Sequence, residues 1–375
     1  MSEKDEGYVI DAGAAHGITE GAIFEIYKDK HTHATTAPLG TMTASVPGPF
    51  STVLDFSPNS GYFAIESQAF ALQIRAGKQE DISLYIPFDQ NLLTVFEAIA
   101  TEMQVNAQRQ INILTDEDLK HGKKPDLGIA FEGGYIVFDI KDPNVTVHGL
   151  HRMPHRVPPI TERVSPVIGA AAHYYWHLRR VGHAEEIQDA VEIEFTQLSS
   201  GNALKRKPCG PNLIEAGVVD IVVDEDHIYG MKITNNGEFP LYASVFYFDN
   251  SDFSIGTCSQ PVKGYSLDLT NSPVSYYQVQ SAKGQVDPCI LPERSLTIGY
   301  GKGGAQPFAY GLSDEQDIDV GCLKIFLSTE KVDLSNIPQS TPFKGHRGPR
   351  PPKSKPRGLW HTILFTIVQR RHPRS

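Results

Sequence analysis

Four cysteines and fourteen histidines are the side chains best equipped for chemistry in this 375-residue chain. Cys209 sits in the turn KPCGPN beside Lys205, Arg206 and Lys207, whose charge would lower a thiol pKa and favour oxidation or nucleophilic attack. Nothing else around it supports catalysis, so it reads as an ordinary turn cysteine. Cys258, Cys289 and Cys322 fall in strand or loop context, and Cys322, between Gly321 and Leu323, reads as a small core residue. With no CxxC and no close spacing, no structural disulfide is expected.

His173 and His177 stand four apart on a predicted helix, the spacing at which two imidazoles can share a metal. Zinc would require two further ligands, and no HExxH, clustered carboxylate or nearby cysteine supplies them. The pair, with Trp176, is therefore expected to flank an apolar helix face. VDEDH, 223–227, and DEQDID, 314–319, bring carboxylates together, but neither has the spaced ligands of a calcium loop; both read as solvated turns. TIGYGKGGAQPF, 297–308, is rich in glycine and carries Lys302, yet lacks the GK[ST] end of a phosphate loop and reads as a wide β turn. The sequence thus predicts no catalytic residue, no metal site and no cofactor.

The densest charge is basic. Lys344, Arg347, Arg350, Lys353, Lys355 and Arg357 lie within PFKGHRGPRPPKSKPRG, 342–358, a stretch whose prolines and charge prevent it from forming a core and predict a flexible loop. These six are the candidate contacts for an anionic ligand, because nucleic acid or anionic lipid would release counterions on meeting them. Against this, no aromatic platform is interleaved, and residues 1–343 hold 25 basic against 44 acidic residues, near −19. A protein partner or plain solvation suits the segment better.

The elements that would position these groups are mainly strands. Residues 7–80 show short β segments at Tyr8–Asp11, Ile23–Tyr27, Gly40–Ala44, Ser51–Asp55, Gly61–Ile65 and Ala69–Arg75 between Gly, Pro and Asn turns, which predicts a small β barrel or sandwich. Residues 81–160 form a mixed α/β unit: ISLYIPF as a strand, a helix carrying Leu92, Val95, Phe96, Ile99 and Met103, then INILT, LGIAFEG and YIVFDI, with Gly133-Gly134 turning a hairpin. RMPHRVPPIT reads as an extended linker. In 161–189 ERVSPVIGAAAHYYWHLRRVGH is a helix with Pro166 in its first turn and Arg179, Arg180 and Gly182 at its C-terminal end.

From 190 to 375 the plausible elements are strands with turns such as Asn236-Gly237, the spacing of an immunoglobulin-like β-sandwich. LYASVFYFD is apolar on both faces and belongs between two sheets or beneath a helix. Residues 261–289 read as a long loop, and the strand at 359–369 returns to the sheet after the basic loop. With no signal sequence at MSEKDEGYVI and no long apolar run, a cytoplasmic chain is expected.

DAGAAHGITEGAIFEIYKD, PDLGIAFEGGYIVFDI with HGLHRMPHRV, PVIGAAAHYYWHLRR, VVDEDHIYGMKITNNGEFPLYASVFYFDNSDFSI, LPERSLTIGYGKGG and DVGCLKIFLSTEKVDLSNIPQS resemble successive blocks of the C-terminal accessory region of caspase-like, metacaspase-related proteins of mushroom-forming fungi. In that family a caspase-fold domain with a His–Cys dyad precedes this region. Here the resemblance starts near residue 7, and no QACxG-like block is present. Residues 215–335 are similar, more loosely, to a β-sandwich module found downstream of bacterial caspase-like and kinase domains. The resemblance implies a non-catalytic accessory or regulatory protein-interaction module whose partner is a caspase-like protease. Its alternatives are a fragment of such a peptidase without its catalytic domain, and an anionic-ligand binder acting through the basic loop.

Overall fold

A computed structural model describes residues 2–4, 7–28, 36–58, 60–65, 69–75, 77, 82–105, 110–202, 205–224, 226–257, 289–301, 306–313, 316–330, 332, 334, 337–343 and 358–371. The described chain is a mixed α/β structure with four β-sheets, two of which curl into open half-barrels. The first sheet contains β1 (Ser2–Lys4), β2 (Gly7–Ile10), β3 (Ile23–Tyr27), β4 (Gly40–Pro47), β5 (Thr52–Phe56) and β6 (Phe70–Arg75), in the order β1-β2-β5-β4-β3-β6. Alternation along β3 sends Phe24 and Ile26 into a small core with Ile10, Met42 and Leu54. The expected strand at Gly61–Ile65 does not form. Tyr62 and Phe63 instead pack on the ring of Phe56, with centroids 5.1 and 5.0 Å away, so aromatic contact replaces the ladder.

The second sheet is built from β7 (Ile82–Tyr85), β8 (Ile111–Leu114), β9 (Leu127–Glu132), β10 (Tyr135–Ile140) and β11 (Arg152–Val157), ordered β11-β10-β9-β7-β8. Helix α1 (Leu93–Val105) makes the crossover between the parallel strands β7 and β8; α2 (Asp116–Lys120) and α3 (Pro143–Thr146) are short. RMPHRV, expected to be linker, is a strand. Its proline is accommodated because β11 lies at the sheet edge, where a missing N–H faces no partner strand.

Helix α4 (Thr161–Arg179) begins at Thr161, so Pro166 is its sixth residue and lies past the first turn rather than in it. It buries Val164, Val167, Ile168, Ala171, Ala172, Tyr174 and Tyr175, more than one stripe, because sheets cover it from two sides. The Tyr175 hydroxyl donates to the Asp126 carbonyl at the head of the second sheet, and that of Tyr174 donates to Asn250 Oδ1, 2.8 Å away in the C-terminal region.

After α5 (Glu185–Ala190) come β12 (Val191–Leu198), β13 (Pro208–Cys209), β14 (Val218–Val222), β15 (Ile228–Asn235), β16 (Leu241–Asp249), β17 (Ile255–Thr257), β18 (Cys289–Ile290), β19 (Arg294–Ile298), β20 (Ile318–Ser328) and β21 (Trp360–Arg370). They make a sheet ordered β13-β12-β15-β19 and another ordered β14-β21-β20-β16-β17, with β18 also on β16. Phe195, Met231 and Ile298 of one share a core with Val245, Tyr247, Ile325 and Ile367 of the other. On the opposite face of the larger sheet, Phe246, Phe248, Cys322 and Phe326 join the core around α4. The strand apolar on both faces thus lies between a sheet and a helix, meeting both expected settings at once. Among the described residues no helix is long and apolar enough to cross a membrane.

Candidate functional site

The C-terminal end of α4 is where the N-terminal sheet region, the helix and the larger C-terminal sheet meet. A helix end presents carbonyls with no intrahelical partner and the negative end of the helix dipole. Lys324, almost wholly buried in the apolar strand β20, answers both: its Nζ donates to the carbonyl oxygens of His177, Leu178 and Arg180 at 3.0, 2.6 and 2.5 Å. Burial, and then the neighbouring Arg180, push its pKa well below the usual lysine value.

Arg179 and Arg180 part company at this helix end. The Arg179 guanidinium turns to the second sheet, pairs with the Asp126 carboxylate and lies 5.5 Å over the Tyr175 ring. Asp126 also accepts from the Ser83 N–H at 2.7 Å; burial raises its pKa despite the opposing pull of Arg179. Arg180 is 4% exposed. One terminal nitrogen donates to the Ala15 carbonyl of the N-terminal region, and the other to Nδ1 of His177 at 3.1 Å. That second contact makes Nδ1 the acceptor and fixes the imidazole tautomer. Its guanidinium stands 5.3 Å from the Phe326 ring centre, its Nε is buried without a hydrogen-bond partner, and no carboxylate among the described residues pairs with it. Burial brings its pKa down to about 10, so the group is still a cation at neutral pH.

A cavity of about 260 Å³ opens at this junction. The loop from Ala14 to Thr19 forms one wall through Ala14, Gly17, Ile18 and Thr19. Trp176, Arg179, Arg180 and Val181 from the helix end form the second, and Trp360 of β21 closes the third. Two close approaches hold the indoles in place. Gly17, at φ +89°, would carry a Cβ 3.0 Å from Trp176, and one on Gly182 would lie 2.6 Å from Trp360. These are the two tryptophans of the sequence.

Two other polar groupings stand out among the described residues. On the β9–β10–β11 face, Arg152 makes two hydrogen bonds to Glu132, at 2.6 and 2.8 Å, and one to Asp139 at 2.7 Å; Lys141 also reaches Asp139 at 3.3 Å. Arg152 holds the Glu132 carboxyl below its usual value. Asp139, although burial pushes it up, is held low by Arg152 and Lys141. At the β16–β17 turn, Asp319 accepts from Ser251 Oγ at 2.5 Å and from Gln369 Nε2 at 3.1 Å, and Asp249 accepts from the Ser251 N–H at 2.8 Å. Burial raises both carboxyls, and the charge of Asp319 raises Asp249 further.

Of the residues singled out from sequence, Lys344, Arg347, Arg350, Lys353, Lys355 and Arg357 lie outside the described residues, as do Lys302, Cys258 and the loop 261–288. Cys209 is exposed on β13, and Cys322 is buried beneath α4, its thiol pushed up to about 12 by that burial. The rings of His173 and His177 stand 4.4 Å apart, but each is engaged: His173 Nε2 with the Ile337 carbonyl at 2.8 Å, His177 with Arg180. His177 is fully buried rather than at the boundary of the face. Among the described residues no group of three or more His, Cys, Asp or Glu is placed to hold a metal. Of the acidic run 314–319, Asp319 is buried rather than solvated, because it lies within the central strand β20.

Sequence reasoning missed Arg180 as a site residue and Lys324 altogether. A lysine inside the apolar run VGCLKIFLS was the available signal. Comparison of the chain with protein-family models, with curated proteins and with solved structures gave no match.

Proposed function

We propose that the chain is a non-catalytic accessory module that regulates, by protein interaction, a caspase-like protease. The supporting observation is where the blocks of resemblance fall. DAGAAHGITEG contains the wall from Ala14 to Thr19, PVIGAAAHYYWHLRR forms most of α4, and DVGCLKIFLSTE carries Lys324 on β20. Three blocks far apart in sequence converge on one helix end, fastened there by Lys324 and Arg180. An arrangement of that kind keeps three regions in register for presentation to a partner.

In this reading the N-terminal sheet is a small barrel left open between β1 and β6. The two C-terminal sheets with their shared core are an immunoglobulin-like sandwich, and the module works in the cytoplasm. Buried reactive groups fit the same picture: Cys322 packs beneath the helix, and Lys324 spends its donors on a helix end.

The test is to add the purified chain to the purified catalytic domain of a caspase-like peptidase and follow hydrolysis of a fluorogenic peptide. A saturable change in rate, with co-elution of the two proteins and no hydrolysis by the chain alone, is the expected result. An unchanged rate together with separate elution overturns the proposal, and hydrolysis by the chain itself overturns its non-catalytic part.

A further inference from the structure

The geometry points to the junction cavity as a binding site for a small aromatic carboxylate, held by Arg180 and seated between Trp176 and Trp360. This inference goes beyond the accessory role and stands or falls separately from it.

The charge comes first. A guanidinium taken out of water is costly unless an anion or a full set of hydrogen bonds offsets the loss. Arg179 has such an anion in Asp126, and its neighbour Arg180 has none among the described residues. Arg180 is the more deeply buried of the two, it retains an unpartnered Nε, and it faces a second buried basic group in Lys324. Both arginines line the cavity, and among the described residues no carboxylate does. An oxyanion entering there would supply the missing counter-charge, whereas a metal cation would meet only like charge.

The walls then choose among anions. Two indoles, with Ala14, Ile18 and Val181, make a largely apolar surround, the Thr19 hydroxyl being taken up by the Gly77 N–H at 3.1 Å. Aromatic rings prefer offset or edge contacts with other rings, so a planar body is favoured over a bare inorganic ion. Size sets the upper limit. At about 260 Å³ the space falls just under the ordinary ligand-pocket range of about 300–1,000 Å³, which suits one ring with its acid group and not a nucleotide.

Because both tryptophans of the chain line this one cavity, their emission reads its occupancy. The full chain is titrated with benzoate, with benzamide as its uncharged counterpart, and with inorganic phosphate as an oxyanion without a ring, using tryptophan fluorescence and calorimetry together. Saturable benzoate binding is expected, with benzamide and phosphate each at least about tenfold weaker, and with an Arg180→Gln variant of unchanged fold about tenfold weaker for benzoate. Equal binding of benzamide overturns the role of charge, and equal binding of phosphate overturns the role of the indoles. No saturable response to benzoate, or full affinity in folded Arg180→Gln, overturns the site. If Arg180→Gln does not fold, the comparison of benzoate with benzamide on the unaltered protein decides the matter.

Discussion

On the outer face of the β9–β10 hairpin Arg152 meets two carboxylates in partial contact with solvent, whereas at the end of α4 Arg180 is buried with a carbonyl and an imidazole for company. The first arrangement is self-sufficient: each charge has its opposite within hydrogen-bonding reach, and water screens what remains. The second leaves cationic character inside the fold, held by helix-end carbonyls and an open space rather than by anions. Equal numbers of basic groups therefore carry very different energetic weight. Exposed pairs tolerate change, while the buried basic groups hold the three regions together.

The largest effect that would break this contrast is expected at Lys324. Lys324→Met keeps the volume but abandons three buried helix-end carbonyls, and should lower unfolding stability by about 2–4 kcal/mol, read from urea denaturation. A loss under half a kcal/mol, as an order-of-magnitude threshold, would put the junction in the same class as the surface pair. Next, Gly182→Ala should press on Trp360 and cost about 1–3 kcal/mol, with altered tryptophan emission; unchanged emission would show that the cavity wall yields freely.

A smaller effect is expected from protonation at the β16–β17 turn. Asp249 and Asp319 have folded-state pKa values above the unfolded 3.8, so the native state binds their protons more tightly. Their favourable contribution is complete below the unfolded value and is lost as pH rises through the raised folded one. Asp249→Asn mimics the protonated carboxyl. Its stability relative to the unaltered chain should therefore be higher at alkaline than at acid pH, and a pH-independent difference would contradict the buried pair. The smallest effect belongs to Arg152→Ala, whose denaturation midpoint should approach that of the unaltered chain as salt is raised. A persistent large loss in high salt would mean that the hairpin network is as structural as the junction.

Local patterning made much of the architecture readable. Ile23–Tyr27, Tyr135–Ile140 and Leu241–Asp249 are strands over the residues expected, since alternation and flanking turns are encoded within a few positions. RMPHRV reads as linker rather than strand because whether proline is tolerated depends on edge position, a property of the assembled sheet. In the sequence His177 falls at a boundary because only one apolar stripe is visible there, and the larger C-terminal sheet that covers the other side of α4 brings Phe246, Phe248, Cys322 and Phe326 from far along the chain. The junction was the least readable part. Lys324, Arg180, Ala15 and Trp360 have no shared spacing, and only tertiary packing brings them together.

The position of β21 bears on how the chain is made. Val218 of β14 pairs with Thr366 of β21, and β21 is also the strand that shields one side of β20. During synthesis, β14 leaves the ribosome long before its partner does, and the sheet stays unfinished, with apolar edges exposed, until residues 360–370 follow. Contacts so distant in sequence slow folding and lengthen the interval in which nascent chains can associate wrongly. Translation halted before residue 360 would leave β14 and β20 without their shared neighbour, a species that chaperones must hold and quality control must recognise.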